Sequence, residues 1–209
     1  QFTSGSTAAP KGVVVTHASL SANGTGIILD GLNADPEKDK AVSWLPLYHD
    51  MGLIGHVLAP LVKTLPVVFM PTLTFVKKPT TWMDVIHEHR GTITFAPNFA
   101  FARLTKRATE KDLARWDLSC LRIVGCGAEP IHAGTMRAFV DRFTAGAKLG
   151  GPGVMLPCYG MAEATLAMSF AMNGLHVDSI DPDACYVEKR AIPAPTTAGA
   201  LELVSCGIP

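Results

Sequence analysis

Four short segments concentrate side chains that can bind phosphate, move protons or hold a cation. The first is Thr3-Ser4-Gly5-Ser6-Thr7-Ala8-Ala9-Pro10-Lys11-Gly12. Its hydroxyls and glycine N–H groups can wrap phosphate oxygens, and Lys11 can offset their charge. Gly5 and Lys11 do not fit the G-x-x-x-x-G-K-[ST] loop, and composition alone leaves a flexible linker equally open. The second is Trp44-Leu45-Pro46-Leu47-Tyr48-His49-Asp50-Met51-Gly52. A His-Asp pair there can do acid–base or metal chemistry, or Asp50 can cap a helix with His49 packed at its mouth. The third, Gly125-Cys126-Gly127-Ala128-Glu129-Pro130, has small residues that let a flat ligand approach the backbone. It also reads as a plain turn from strand to helix. The fourth is Pro157-Cys158-Tyr159-Gly160-Met161-Ala162-Glu163-Ala164-Thr165. Tyr159 can stack on a base and Glu163 can bind Mg²⁺, or they are a core tyrosine and a surface glutamate.

Other chemistry is absent or disfavoured. His87-Glu88-His89 is not H-E-x-x-H, and helix residues two apart do not face one ligand. There is no G-x-S-x-G nucleophile elbow. Cys158 as a nucleophile is disfavoured by its apolar neighbours Leu156 and Pro157, which point to burial.

Elements must hold these segments in place. Short β-branched runs alternate with amphipathic ones. Strands are expected at residues 13–15, 41–45, 66–70, 92–96, 121–126 and 154–158. Helices are expected from a Thr16 N-cap to about Leu32, and over residues 50–62, 81–89, 98–107 and 131–143. The spacing leaves no room for tight hairpins, so βαβ units and a parallel sheet follow. Ligands of such sheets bind beyond the carboxyl ends of the strands, where the four segments fall. Residues 173–200 break the rhythm with prolines and aspartates and read as an inserted excursion; a strand returns at residues 201–205.

Composition sets the outer limits. With 48% hydrophobic and 17% charged residues among 209, the chain can build a core without disulfides or metal. Eighteen basic residues balance eighteen acidic ones, which argues against a nucleic-acid partner. No run reaches the ~18 apolar residues of a membrane helix. Five cysteines, an odd number without CxxC spacing, read as reduced thiols of a cytoplasmic protein.

Together and in this order, the segments resemble the adenylate-forming ligases: acyl-CoA synthetases, luciferases and peptide-synthetase adenylation domains. The first segment is similar to their phosphate loop, and Tyr159-Gly160-Met161-Ala162-Glu163 to their Y-G-x-T-E motif. The second segment through Leu53, with Ala96-Pro97-Asn98-Phe99-Ala100-Phe101, Gly127-Ala128-Glu129-Pro130 and Tyr159 to Thr165, resembles the fatty acyl-AMP ligase branch. Ala162 replaces the Thr of the general motif, as that branch tolerates. The resemblance implies an α/β fold of layered, parallel-rich sheets with flanking helices. It implies that residues 1–209 are part of the large N-terminal domain, with a branch-type insertion at 173–200, and that this piece is inactive alone. It also leads us to expect apolar faces for missing segments to cover, and so poor solubility.

The implied reaction joins a fatty acid carboxylate to ATP, giving fatty acyl-AMP and pyrophosphate, with Mg²⁺ as cofactor. The acyl group then passes to an acyl-carrier protein or a polyketide or peptide synthase. The alternatives are a fatty acyl-CoA synthetase and a non-catalytic nucleotide-binding module. By the same resemblance Thr3, Ser4, Gly5, Ser6, Thr7 and Lys11 bind phosphates, and Lys11 and His49 are catalytic. Gly127, Ala128, Glu129, Tyr159, Gly160 and Met161 form the adenine site, and Glu163 holds the metal. Met51, Asn98, Phe99 and Phe101 line the acyl pocket.

Overall fold

The computed structural model describes residues 1–2, 11–196 and 198–208. The phosphate-loop residues Thr3, Ser4, Gly5, Ser6 and Thr7 lie outside the described residues.

One six-stranded sheet organises the chain. Its strands are β1 (Ala41–Ser43), β2 (Val67–Phe69), β3 (Ile93–Ala96), β4 (Ile123–Cys126), β5 (Met155–Gly160) and β6 (Ala167–Phe170). They lie in the order β2-β1-β3-β4-β5-β6. The first five are parallel neighbours, as the alternating pattern predicts. β3 and β4 are buried at every position because helices cover both faces. In the order 2-1-3-4-5 the chain reverses direction between β1 and β3, and a crevice opens outside their carboxyl ends.

On one face, α1 (His17–Thr25) continues into a π-helical turn, Gly26–Gly31. Thr16 caps α1 through a reciprocal box with Ser19, which fixes the helix start read from the sequence. Beside it, α2 (Asp50–Leu53) runs on through a π turn, Ile54–Leu58, and a 3₁₀ turn, Ala59–Val62. The other face carries α3 (Thr72–Lys77), α4 (Thr81–His89), α5 (Asn98–Arg107), α6 (Glu110–Arg115) and α7 (Ala133–Ala147). Along β3 the side chains alternate. Thr94 accepts a hydrogen bond from the Trp82 indole of α4 at 3.0 Å, so Ile93 and Phe95 face α1 and α2. At the amino ends of the strands Asp39, 5% exposed, pairs with Arg122 and accepts from Thr92 at 2.7 Å. Burial raises the Asp39 carboxyl, but Arg122, the Asp35 N–H and Thr92 outweigh it and hold it at about 2.

Several expectations are corrected. Residues 13–15 form no strand: Val14 is 88% exposed, and among the described residues the pairing here stops at a short bridge of Phe2 with Gly12 and of Gln1 with Val13. A β-branched run without a partner ladder stays irregular. A hairpin does occur: β6 runs antiparallel to β5 through the tight turn over residues 161–166. The segment 173–200 contains β7 (Val177–Ile180) and α8 (Pro182–Tyr186). The strand at the end of the chain, β8 (Leu201–Val204), pairs with β7 in a separate two-stranded sheet and does not rejoin the main one. All five cysteines are free thiols.

Candidate substrate cavity

A cavity of about 570 Å³ opens between the sheet and the α1 and α2 runs, within the range of small-molecule sites. Its mouth is polar and its floor apolar. Lys11, His49, Asp50, Tyr159 and Glu163 line the mouth, with Ala128, Gly160 and Met161 beside them. The floor is made of Ile27, Ile28, Leu32, Ala41, Leu65, Ile93 and Phe95, all buried. Ile93 and Ala41 begin their strands, so the cavity runs the length of β3, roughly 10 Å from Ala96 to Ile93.

Local chemistry positions each mouth residue. The strand stem Gln1–Phe2 lies against Gly12–Val13, with Val13 N–H donating to the Gln1 carbonyl at 2.7 Å. Lys11 is held beside that stem. His49 is the N-cap of α2. Its Nδ1 lies 2.8 Å from Asp50 Oδ1 and 3.3 Å from Met51 N. One ring nitrogen cannot donate and accept at once. Met51 N–H already donates to Asp50 Oδ1 at 2.7 Å, so Nδ1 carries its proton toward the same carboxylate. That bond raises the His49 pKa, against burial, which lowers it. Burial works against the Asp50 carboxylate too, but His49 and the Met51 N–H outweigh it and hold its pKa low. The pair caps the start of α2, and the carboxylate beside the ring favours its protonated form.

Tyr159 is 53% exposed at the end of β5, where a register shift falls between Tyr159 and Gly160. Such a bulge turns the side chains that follow. A Cβ on Gly160 would run into the Leu166 carbonyl, so only glycine closes this turn, which carries Glu163 to the mouth. At Gly127 a Cβ would lie 2.7 Å from Cys158 Sγ, so β4 and β5 converge there by way of a glycine. The next residue, Ala128, has φ 67, a left-handed conformation uncommon for alanine. Burial pushes the Cys158 thiol up to about 12, which keeps it protonated.

The structure brings together Lys11, His49, Met51, Ala128, Tyr159, Gly160, Met161 and Glu163 on one cavity. It does not bring Asn98, Phe99 or Phe101 to the wall. Phe101 is fully buried between Trp82 and Phe139, at ring distances of 5.5 and 5.0 Å. Phe99 packs edge-on against Trp44 and Phe75. Asn98 accepts from His132 N–H at 3.0 Å, at the start of α7. The Glu129 carboxylate, off the wall like Gly127, accepts from Phe99 N–H at 2.6 Å in the first turn of α5. Asn98 and Glu129 thus cap neighbouring helices. The floor residues were missed because apolar strand and helix positions look alike whether they face a core or a cavity.

Fold and cavity together define an α/β domain with a small-molecule cavity against its parallel sheet, and comparison gives it a family. Residues 1–199 match the family of AMP-binding enzymes, and the chain belongs to it. It is 36% identical, over 99% of its length, to the medium-chain-fatty-acid–[acyl-carrier-protein] ligase TtuA of Teredinibacter turnerae. It covers 32% of that protein. A solved chain from work on fatty acyl-adenylate ligases of E. coli and L. pneumophila superposes with a TM-score of 0.90 at 40% identity. That match covers 99% of this chain and 37% of the other. A fatty acyl-adenylate ligase from L. pneumophila, solved with acyl adenylate and pyrophosphate, gives 0.91 at 33% identity, over 99% and 36%. The chain spans about a third of the length of the curated relatives it matches. No helix of the described residues is long and apolar enough to cross a membrane.

Proposed function

We propose that the cavity belongs to an enzyme that activates a fatty acid as acyl-AMP. The observation that carries this reading is one cavity with a charged, aromatic mouth and an apolar floor. A fatty tail on that floor gains about 0.8 kcal/mol per buried CH₂, and its carboxylate is held at the mouth. There a carboxylate oxygen attacks the α-phosphorus of ATP, the bond to the β-phosphate oxygen breaks, and pyrophosphate leaves. Catalysis of this kind is mainly positioning and charge stabilisation.

Lys11, with Thr3, Ser4, Gly5, Ser6 and Thr7, grips the departing phosphates. His49, its proton secured by Asp50, offers positive charge where the carboxylate meets the phosphate. Tyr159 stacks on adenine, with the backbone of Gly127, Ala128, Glu129, Gly160 and Met161 along its edge. Met51 begins the acyl wall, and Ile27, Leu32, Ile93 and Phe95 continue it in place of Asn98, Phe99 and Phe101.

The described residues hold no cluster of three metal-ligating side chains. A lone carboxylate at a phosphate site still suits Mg²⁺, which takes one or two carboxylates and fills its shell with substrate phosphates and water. Glu163 is that carboxylate, and the ion would neutralise phosphate charge. The acyl group passes to an acyl-carrier protein or to a polyketide or peptide synthase, by analogy with the relatives. Five free thiols and the use of ATP fit a cytoplasmic enzyme.

The test is ATP–pyrophosphate exchange by the full-length protein. Exchange that depends on a fatty acid is expected. ATP binding without exchange would leave a nucleotide-binding module. With carrier protein and CoA both supplied, acyl-carrier product is expected, and accumulation of acyl-CoA would reassign the acceptor.

A further inference from the structure

One polar group on the floor has no partner. His56, 3% exposed, lies among apolar residues of the cavity wall. Its Nδ1 is 2.9 Å from the Met51 carbonyl. A carbonyl can only accept, so Nδ1 carries the hydrogen. Burial pushes the ring's pKa down, so it is neutral, and Nε2 is then a bare lone pair. Nε2 is buried and finds no hydrogen-bond partner among the described residues. Phe95 packs edge-on against the ring at 5.9 Å and helps hold its orientation. A fixed, buried acceptor without a donor is costly, and a ligand that supplies the donor removes that cost.

The geometry points to a substrate hydroxyl: His56 Nε2 is a specificity-determining acceptor for a fatty acid that carries a hydroxyl on the distal part of its chain. This rests on the adenylation reading above and adds the substrate class to it. The donor is distal because His56 lies beyond Met51 on the helical run, among the apolar residues of the floor and away from the charged mouth. A hydroxyl is the fitting donor, since an ammonium on an apolar floor would carry a far larger desolvation cost.

The experiment compares ω-hydroxydodecanoate, β-hydroxydodecanoate and dodecanoate in ATP–pyrophosphate exchange by the full-length protein. The expected kcat/KM for the ω-hydroxy acid is about 10-fold above that for dodecanoate, with no gain for the β-hydroxy acid. In His56→Phe, which keeps an aromatic ring against Phe95, that ratio should fall to one or below; His56→Gln, which keeps an acceptor, should restore part of it. Ratios are read within each protein, so a general loss of activity cancels. The melting temperature with each acid bound gives a second readout, and ω-hydroxydodecanoate should raise it most in the wild type. Exchange with dodecanoate but no ω-hydroxy preference overturns this inference alone, as does a preference unchanged in His56→Phe; a water would then be the partner of Nε2. No exchange with any acid overturns the adenylation reading and this inference with it.

Discussion

The mouth and the floor of the cavity are built on opposite plans. At the mouth, loops beyond the strand ends present exposed side chains whose charges face solvent and ligand. On the floor, strand and helix faces present buried side chains held by packing. His49 and His56 make the contrast within one helical run. Asp50 raises the pKa of the first, and burial lowers that of the second. The same imidazole is a donor to a carboxylate at one end and a neutral acceptor at the other. Distance from solvent and the nearest carboxylate decide the role, not residue type.

Five substitutions would break or sharpen this contrast. The largest effect is expected just outside the cavity. Phe101→Ala should cost about 3–5 kcal/mol of stability, read by denaturant unfolding, because it empties a core site between Trp82 and Phe139. A stable Phe101→Ala protein with altered chain-length preference would return Phe101 to the acyl wall. Glu163→Gln should lower ATP–pyrophosphate exchange roughly 100-fold with an unchanged melting temperature, since its carboxylate is exposed. Retained exchange removes the metal role. Tyr159→Ala should raise the KM for ATP about 10-fold through loss of stacking and leave the KM for the fatty acid alone. A rise confined to the fatty acid would put Tyr159 with the floor.

The smallest effect is in pH dependence. The depressed pKa of His56 gives stability that is full above the ordinary value of 6.5 and falls away as pH drops below it. The raised pKa of His49 acts in the opposite sense: its contribution is full below 6.5 and fades as pH rises through the folded value. Melting temperatures between about pH 5 and 8 should therefore fall less steeply on the acid side in His56→Phe, and more steeply in Asp50→Asn. Parallel curves would show that neither ring titrates with folding.

The two plans also explain what the sequence discloses. Mouth residues stand out because glycine, proline, histidine and aspartate at strand ends are rare combinations with few other uses. The parallel strands and the helices over residues 81–89 and 98–107 were legible from apolar period and caps, and the structure has both helices at those bounds. The floor was not legible, because Ile93 facing a cavity and Phe101 facing a core obey the same pattern. α3 and α6 have six residues each, too few to show a period, although Thr109 and Asp112 form a capping box. β6 was hidden because Ala167–Phe170 follows the Tyr159 segment so closely that only a hairpin could accommodate it.

The two π turns that flank the cavity carry a consequence of their own. Each spends one more residue per turn than an α-helix, so each amounts to a single extra residue accommodated without breaking the helix. Removing one residue from Gly26–Gly31 or from Ile54–Leu58 would restore ordinary winding and leave the residues after it in register, so the change would fall within the turn itself. Ile27 and Ile28 in the first turn, or Gly55 and His56 in the second, would be re-aimed on the wall. The shape of the cavity can thus change by gain or loss of a single codon, without any change to the strands that form the rest of its floor.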